Sequence, residues 1–238
     1  MIPGLGDGLR TLKGAALPLA FMYRRLASRF RVYAFSRRDI LPQGYSTRDM
    51  ARDVNLMMER LGIVSACILG VSQGGMIAQY LAIDNPRRVD KLILAVTLSR
   101  PNDTMDDAVE GWVNMAKRGD YRGIMRDLAE KSYSPARVAQ MKRMYMIMAS
   151  VSKPASFDRF IVMANACAAH DCHDELYKIK CPTLIIAGEE DNIVTAQASR
   201  DMARVIDASE LFIYEGLGHA AYEEAPDFLE RAAAFCET

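Results

Sequence analysis

Ser72 lies in the pentapeptide Gly70-Val71-Ser72-Gln73-Gly74, a G-x-S-x-G motif whose flanks constrain the fold more than any other stretch of the chain. The apolar, β-prone run Cys67-Ile68-Leu69 precedes it, and residues Gly75 to Ile83 follow with a helical pattern. Strand, sharp turn and helix in that order place the serine at the tip of a tight turn, with its hydroxyl exposed above a sheet. The two glycines lack Cβ atoms, so the turn can tighten and its neighbours can approach closely. The backbone N–H of Gln73 then points to where negative charge would develop on an attacked carbonyl.

The rest of the chain repeats the same alternation. β-rich runs occur at Val32–Phe35, Cys67–Val71, Lys91–Val96, Thr183–Ala187 and Leu211–Tyr214. They are mostly continuous rather than alternating, the pattern of strands covered on both faces. Helical patterns lie between them. Ser46 opens one, with Asp49 as a first-turn acid; Met50, Val54, Met57 and Leu61 mark one face, and Gly62 stops it. A second runs from about Thr195 to Ile206, and the last starts near Pro226 and carries Phe228, Leu229, Ala232, Ala233 and Phe235. The apolar stretch Gly14 to Tyr23 holds Pro18 and meets Arg24-Arg25 without a small-residue cleavage pattern, so it reads as a helix of the fold.

This order predicts an α/β fold with a mostly parallel, doubly wound sheet. Between the third and fourth runs the pattern is helical only. Residues 1–98 and 180–238 read as one α/β core, and residues 99–179 as a helical cap inserted over the C-terminal edge of the sheet. The insertion holds eight of the fifteen methionines, at 105, 115, 125, 141, 144, 146, 148 and 163. Most fit helix-to-helix packing; a forgiving apolar pocket lining is the functional alternative.

A neutral serine hydroxyl is a poor nucleophile and needs a base, itself oriented by a carboxylate. Three histidines exist, at 170, 173 and 219. His219 sits in the Gly-rich loop Glu215-Gly216-Leu217-Gly218-His219 after the last run, where it can reach over the sheet edge. His170 and His173 fall in a polar stretch at the end of the insertion and read as surface residues. The acid should also follow a strand: Asp191 is the candidate, with Glu189, Glu190 and Asp103 as alternatives. The order Ser72…Asp191…His219 is that of the α/β-hydrolase triad rather than that of chymotrypsin or subtilisin.

On these motifs the chain resembles the α/β-hydrolase superfamily over nearly its whole length, most of all its small capped serine esterases, enol-lactonases and cofactor-free haloperoxidase-like enzymes. Gly44-Tyr45-Ser46-Thr47, Asn85-Pro86-Arg87-Arg88-Val89, the run Cys181 to Asp191, and Gly216-Leu217-Gly218-His219 carry the likeness beside the elbow. The resemblance implies a serine hydrolase with nucleophile Ser72, acid Asp191, base His219, and an oxyanion hole from the N–H groups of Gln73 and Leu5. It implies no cofactor and no metal. The expected reaction is hydrolysis of carboxylic esters, lactones or thioesters. The same residues would also serve acyl transfer, perhydrolysis or C–C cleavage, and a binding module that has lost turnover is the reading from another class.

Three features depart from the family. Pro3-Gly4 stands where similar proteins often carry His-Gly, a harmless change because the backbone donates the hydrogen bond. Similar proteins carry two antiparallel strands and a central strand before the oxyanion loop, whereas this chain begins almost at that loop, so N-terminal strands are expected to be missing. The loop after Val32–Phe35 reads Ser36-Arg37-Arg38-Asp39, whose arginines read as solvated basic surface with an anionic substrate contact as the alternative.

Composition narrows the partners. Lys+Arg and Asp+Glu are 30 each, which argues against nucleic acid or an anionic membrane and for a small-molecule acyl substrate. Five scattered cysteines, an odd number, suit a reduced cytoplasmic protein without a disulfide framework. The exposed sheet edge is compatible with a homo-oligomer. Gly4-Leu5-Gly6-Asp7-Gly8 fails the dinucleotide pattern because position 9 is Leu, and the His170-Asp171-Cys172-His173-Asp174 cluster lacks a second ligand group to complete a metal site.

Overall fold

The computed structural model describes residues 1–13, 16–140 and 153–237. Four strands form one parallel sheet in the order β1 (Ala66–Val71), β2 (Val89–Ala95), β3 (Thr183–Gly188) and β4 (Ser209–Tyr214). Successive side chains of a strand point to opposite faces, so each apolar run feeds two cores. Ile68, Leu92, Leu94 and Ile185 face one layer, with the helices Thr47–Arg60 and Gln73–Asp84 packed in it. Leu69, Val71, Ile93, Ala95, Leu184 and Ile186 face the other, against Phe228 and Ala232 of the helix Phe228–Glu237. Both faces are covered, which is why these runs read as continuous rather than alternating.

In chain order the helices are α1 (Ala16–Met22), α2 (Arg24–Ala27), α3 (Thr47–Arg60), α4 (Gln73–Asp84), α5 (Asp103–Lys117), α6 (Tyr121–Ser132), α7 (Asp158–Ala168), α8 (Ala196–Val205), α9 (Ala221–Glu224) and α10 (Phe228–Glu237). Ser46 caps α3 through a complete capping box with Asp49, and Gly62 takes a φ of 67° just beyond its end. The buried face of α3 is Thr47, Met50, Ala51, Val54 and Met58. Met57 and Leu61, expected on that face, are exposed instead. The helix α1 forms where expected, but none of its residues is buried.

Two expectations are corrected. Val32–Phe35 is not a strand of the sheet. Its neighbour is Met1-Ile2: the Met1 N-terminus donates to the Tyr33 carbonyl at 2.8 Å and Phe35 N–H donates to the Met1 carbonyl at 3.0 Å. Ile2 in turn bridges to Gly70 in parallel, so Met1-Ile2 lies between this segment and β1, too short to carry a ladder. Second, Cys67 on β1 and Cys236 on α10 are joined as a disulfide, their Cα atoms 6.0 Å apart and 169 residues apart in sequence. Cys167, Cys172 and Cys181 are free thiols. No helix among the described residues is long and apolar enough to cross a membrane.

Between β2 and β3 the described chain is helical: α5 and α6 pack together, and α7 packs on α5 and on the short turn Leu5–Gly8. Met105 and Met125 line a cavity and Met163 is fully buried, while Met141, Met144, Met146 and Met148 lie outside the described residues.

Candidate active site

The parallel strands all point their C-terminal ends the same way, so the loops after β1, β3 and β4 meet at one edge of the sheet. Ser72 follows β1 with φ 53° and ψ −122°, one of three non-glycine residues of positive φ among the described residues. Such a conformation costs of order 1–3 kcal/mol and persists only where its surroundings enforce it. The elbow's glycines are part of that enforcement. A Cβ on Gly70 would lie 2.4 Å from the Gly74 carbonyl oxygen, and one on Gly74 would lie 2.0 Å from that of Ile2.

His219, carried by the loop after β4, reaches back so that its Nε2 lies 2.9 Å from Ser72 Oγ. Its Nδ1 lies 2.8 Å from Asp191 Oδ2. An ionised carboxylate only accepts, so Nδ1 carries the proton and Nε2 is left to accept from the serine hydroxyl. Asp191 is held in turn by its other oxygen, which accepts the N–H groups of Ile193 at 2.8 Å and Val194 at 3.0 Å. Burial works against its ionisation, but the His219 imidazole and these backbone donors outweigh it and hold the carboxyl below its ordinary range. The alternatives fall away on position: Glu189 and Glu190 are exposed, as is Asp103 in the first turn of α5.

Two backbone donors stand beside the serine. Gln73 is the first residue of α4 and Leu5 the first of the turn Leu5–Gly8. The N–H of a first helical residue has no acceptor within its own helix. The Cβ position of Gly4 lies 3.7 Å from Ser72 Oγ, which sets the start of that turn against the hydroxyl. Ser72 and His219 open on a cavity of about 360 Å³. Its walls are mostly apolar, with Met105, Val109 and Trp112 from α5 and Tyr121, Met125 and Leu128 from α6, while Asp7, Arg10 and Ser132 add polar groups.

Charged residues behind this site were misread from sequence. Arg37 is buried rather than solvated, only 8% exposed, while Arg38 stays outside and pairs with Asp53. Burial pulls the Arg37 guanidinium down to about 10, so it remains a cation at neutral pH. It lies beside Asp7, whose fully buried carboxylate also accepts from Arg159 at 2.6 Å and from the Ser36 hydroxyl. His170, expected at the surface, is 1% exposed. It shares a hydrogen bond of 2.9 Å with Thr47 Oγ1, packs edge-on against Tyr80, and is pushed down to about 3 by burial. His173 is half-buried, with Nδ1 2.8 Å from Ser99 Oγ. Neither histidine contacts Ser72, and Asp7 and Arg159 carried no signal in the sequence beyond their charge.

A family model described as alpha/beta hydrolase fold matches residues 19–226. The chain belongs to the α/β-hydrolase family. With that membership it joins a family of hydrolytic enzymes. It is 28% identical over 196 residues to the AB hydrolase superfamily protein YisY of Bacillus subtilis, covering 76% of this chain and 70% of YisY. Among solved structures it is similar to Est816, an N-acyl homoserine lactone degrading enzyme, at 28% identity and a TM-score of 0.70, covering 85% of this chain and 81% of Est816. The enol-lactonase of Burkholderia xenovorans superposes on all of this chain and 90% of its own, with a TM-score of 0.84. At 19% identity that likeness concerns the fold.

Proposed function

We propose that the protein is a serine hydrolase that cleaves small carboxylic esters, lactones and thioesters included, through an acyl-enzyme on Ser72. The observation that carries this reading is the continuous hydrogen-bonded chain Ser72–His219–Asp191, 2.9 and 2.8 Å per step, at the floor of an apolar cavity. His219 Nε2 takes the hydroxyl proton as Ser72 Oγ bonds to the carbonyl carbon, and Asp191 stabilises the imidazolium that forms. The N–H groups of Gln73 and Leu5 stabilise the tetrahedral oxyanion. On collapse the bond from the acyl carbon to the leaving group breaks, and His219 returns its proton to the departing atom. Water, deprotonated by His219, then attacks the acyl carbon, and its second tetrahedral intermediate expels Ser72, which is reprotonated. No cofactor enters this cycle.

The helices between β2 and β3 act as a cap in this scheme, since α5 and α6 supply the cavity's apolar wall and so select an apolar acyl or alcohol portion. One of the similar proteins, Est816, is named for degrading a lactone, which supports including lactones in the substrate range. A fluorophosphonate probe followed by peptide mass spectrometry tests the proposal. Labelling at Ser72, abolished in Ser72→Ala and His219→Ala but kept in His170→Gln, is the expected outcome, with ester turnover of Ser72→Ala reduced by roughly 10⁴-fold or more. Near-wild-type turnover in folded Ser72→Ala would refute it.

A further inference from the structure

The oxyanion hole of the proposed reaction needs two N–H groups from segments far apart in sequence, Leu5 and Gln73. What holds them in register is visible behind the serine. Arg37 Nη2 donates to the carbonyl oxygens of Pro3 and Gly4, and also, at 2.9 Å, to Oε1 of Gln73. The same guanidinium pairs with Asp7 at 3.6 Å through Nη1. Asp7 Oδ2 accepts the Arg37 N–H at 3.0 Å, so the loop that carries Leu5 is tied to Arg37 by backbone and side chain alike. The other side of Gln73 is fixed as well: its Nε2 donates to the Met163 carbonyl at 2.6 Å and to Cys167 Sγ at 3.1 Å, both on α7.

The direction of these bonds matters more than their number. The described residues contain no cis peptide bond, and in a trans peptide the carbonyl and the following N–H point in opposite directions. Arg37 draws the Gly4 carbonyl away from the cavity, so the Leu5 N–H is turned toward it. The Asp7 N–H also donates to the Gly4 carbonyl, at 3.2 Å within the turn itself. Without the guanidinium that bond alone would hold the Gly4–Leu5 peptide, and the loop would lose the donor it shares with Gln73, so the Leu5 N–H would no longer be tied to the elbow. Burying a cation is costly, and Arg37 Nε and Nη1 find no hydrogen-bond partner among the described residues. An apolar side chain would fill this space at less cost but could not bridge the loop to the elbow.

We propose that Arg37, braced by Asp7 and Arg159, is a positioning residue that aims the Leu5 N–H and couples it to Gln73, so that both oxyanion donors are set before substrate binds. This rests on the serine-hydrolase reading of Ser72. It predicts that Arg37 supports the transition state and leaves ground-state binding nearly untouched.

The test compares wild type, Arg37→Met and Arg37→Lys by thermal melting, ester kinetics, fluorophosphonate labelling at Ser72, and affinity for an alkyl boronic acid that forms a tetrahedral adduct. Lysine keeps the buried cation, yet it lacks the planar fork, and its three N–H donors cannot serve the two carbonyls, Gln73 and Asp7 at once. The expected result is a fall in kcat of roughly 10²-fold in Arg37→Met, as for loss of one oxyanion donor, with KM within about threefold. Boronate affinity falls in proportion to kcat/KM, and Arg37→Lys recovers only part of either. If Arg37→Met does not fold, Arg37→Lys carries the test alone. Wild-type labelling at Ser72 with unchanged kcat and boronate affinity in folded Arg37→Lys overturns the proposal while leaving the nucleophile standing. No labelling of the wild type overturns both.

Discussion

Gly188, the last residue of β3, sits directly beneath the loop that delivers His219. A Cβ built there would lie 2.2 Å from the Gly218 carbonyl oxygen and 2.4 Å from that of Leu217. Both are backbone atoms, so no rotamer change relieves the clash. Clearing even 3.0 Å requires the loop, or Gly188 itself, to retreat by about 0.8 Å. The Glu190 N–H donates to the Leu217 carbonyl at 2.9 Å, so the two loops move against each other and the Asp191–His219 contact of 2.8 Å opens. A misplacement of about 1 Å in a catalytic group is worth roughly 10²-fold in rate. Overpacking adds a stability loss of about 1–3 kcal/mol, which lowers Tm by several degrees in a chain of this length. Gly188→Ala should therefore remain folded while kcat/KM on a p-nitrophenyl ester, and the rate of fluorophosphonate labelling at Ser72, drop about a hundredfold. Gly111→Ala is the control: a Cβ there meets nothing within 4 Å, so activity should hold. Activity of folded Gly188→Ala within about threefold of wild type would refute the claim that this close approach sets the histidine.

His170 gives a pH signature independent of catalysis. Its folded value of about 3 lies below the ordinary 6.5, so between those values the unfolded chain binds a proton that the folded chain does not. Stability then falls with acid by about 1.4 kcal/mol per pH unit below the ordinary value, and none is lost above it. Urea unfolding at about pH 7.5 and about pH 5 should show wild type losing roughly 2 kcal/mol relative to His170→Gln over that interval; a constant difference would place His170 at the surface after all. The pairing of Cys67 with Cys236 makes a simpler forecast. Denatured, unreduced protein should titrate only Cys167, Cys172 and Cys181 with a thiol reagent, and all five cysteines only after reduction.

What the sequence made legible and what it hid follow one physical division. Ser72, Asp191 and His219 each stand in a short polar or glycine-rich loop directly after an apolar run, and a parallel sheet must bring such loops to one edge. Their meeting is a consequence of topology, which strand–helix alternation already announces. The helix N-cap at Ser46 was legible for a related reason, because both halves of the capping box lie within four residues. Arg37, His170 and the Cys67–Cys236 pair are different in kind. Arg37 is buried because Asp7 and Gln73 come to it from 30 residues before and 36 after. His170 is neutral and enclosed because Thr47 lies 123 residues away in the chain and a hydrogen bond apart in space. Propensity and spacing are local quantities, and a charged or imidazole side chain read locally is assigned to solvent, since burial without a partner would be prohibitive. The partner is what reverses the assignment, and it has no local trace. The misread face of α3 shows the same limit at smaller scale: Met57 and Met58 are equally apolar, and only what packs against the helix decides that Met58 is buried and Met57 is not. The unexpected burial of Arg37 is accordingly more informative than the expected triad. A polar side chain is kept inside only where its partners repay its desolvation, and those of Arg37 are the loop and the elbow that flank Ser72.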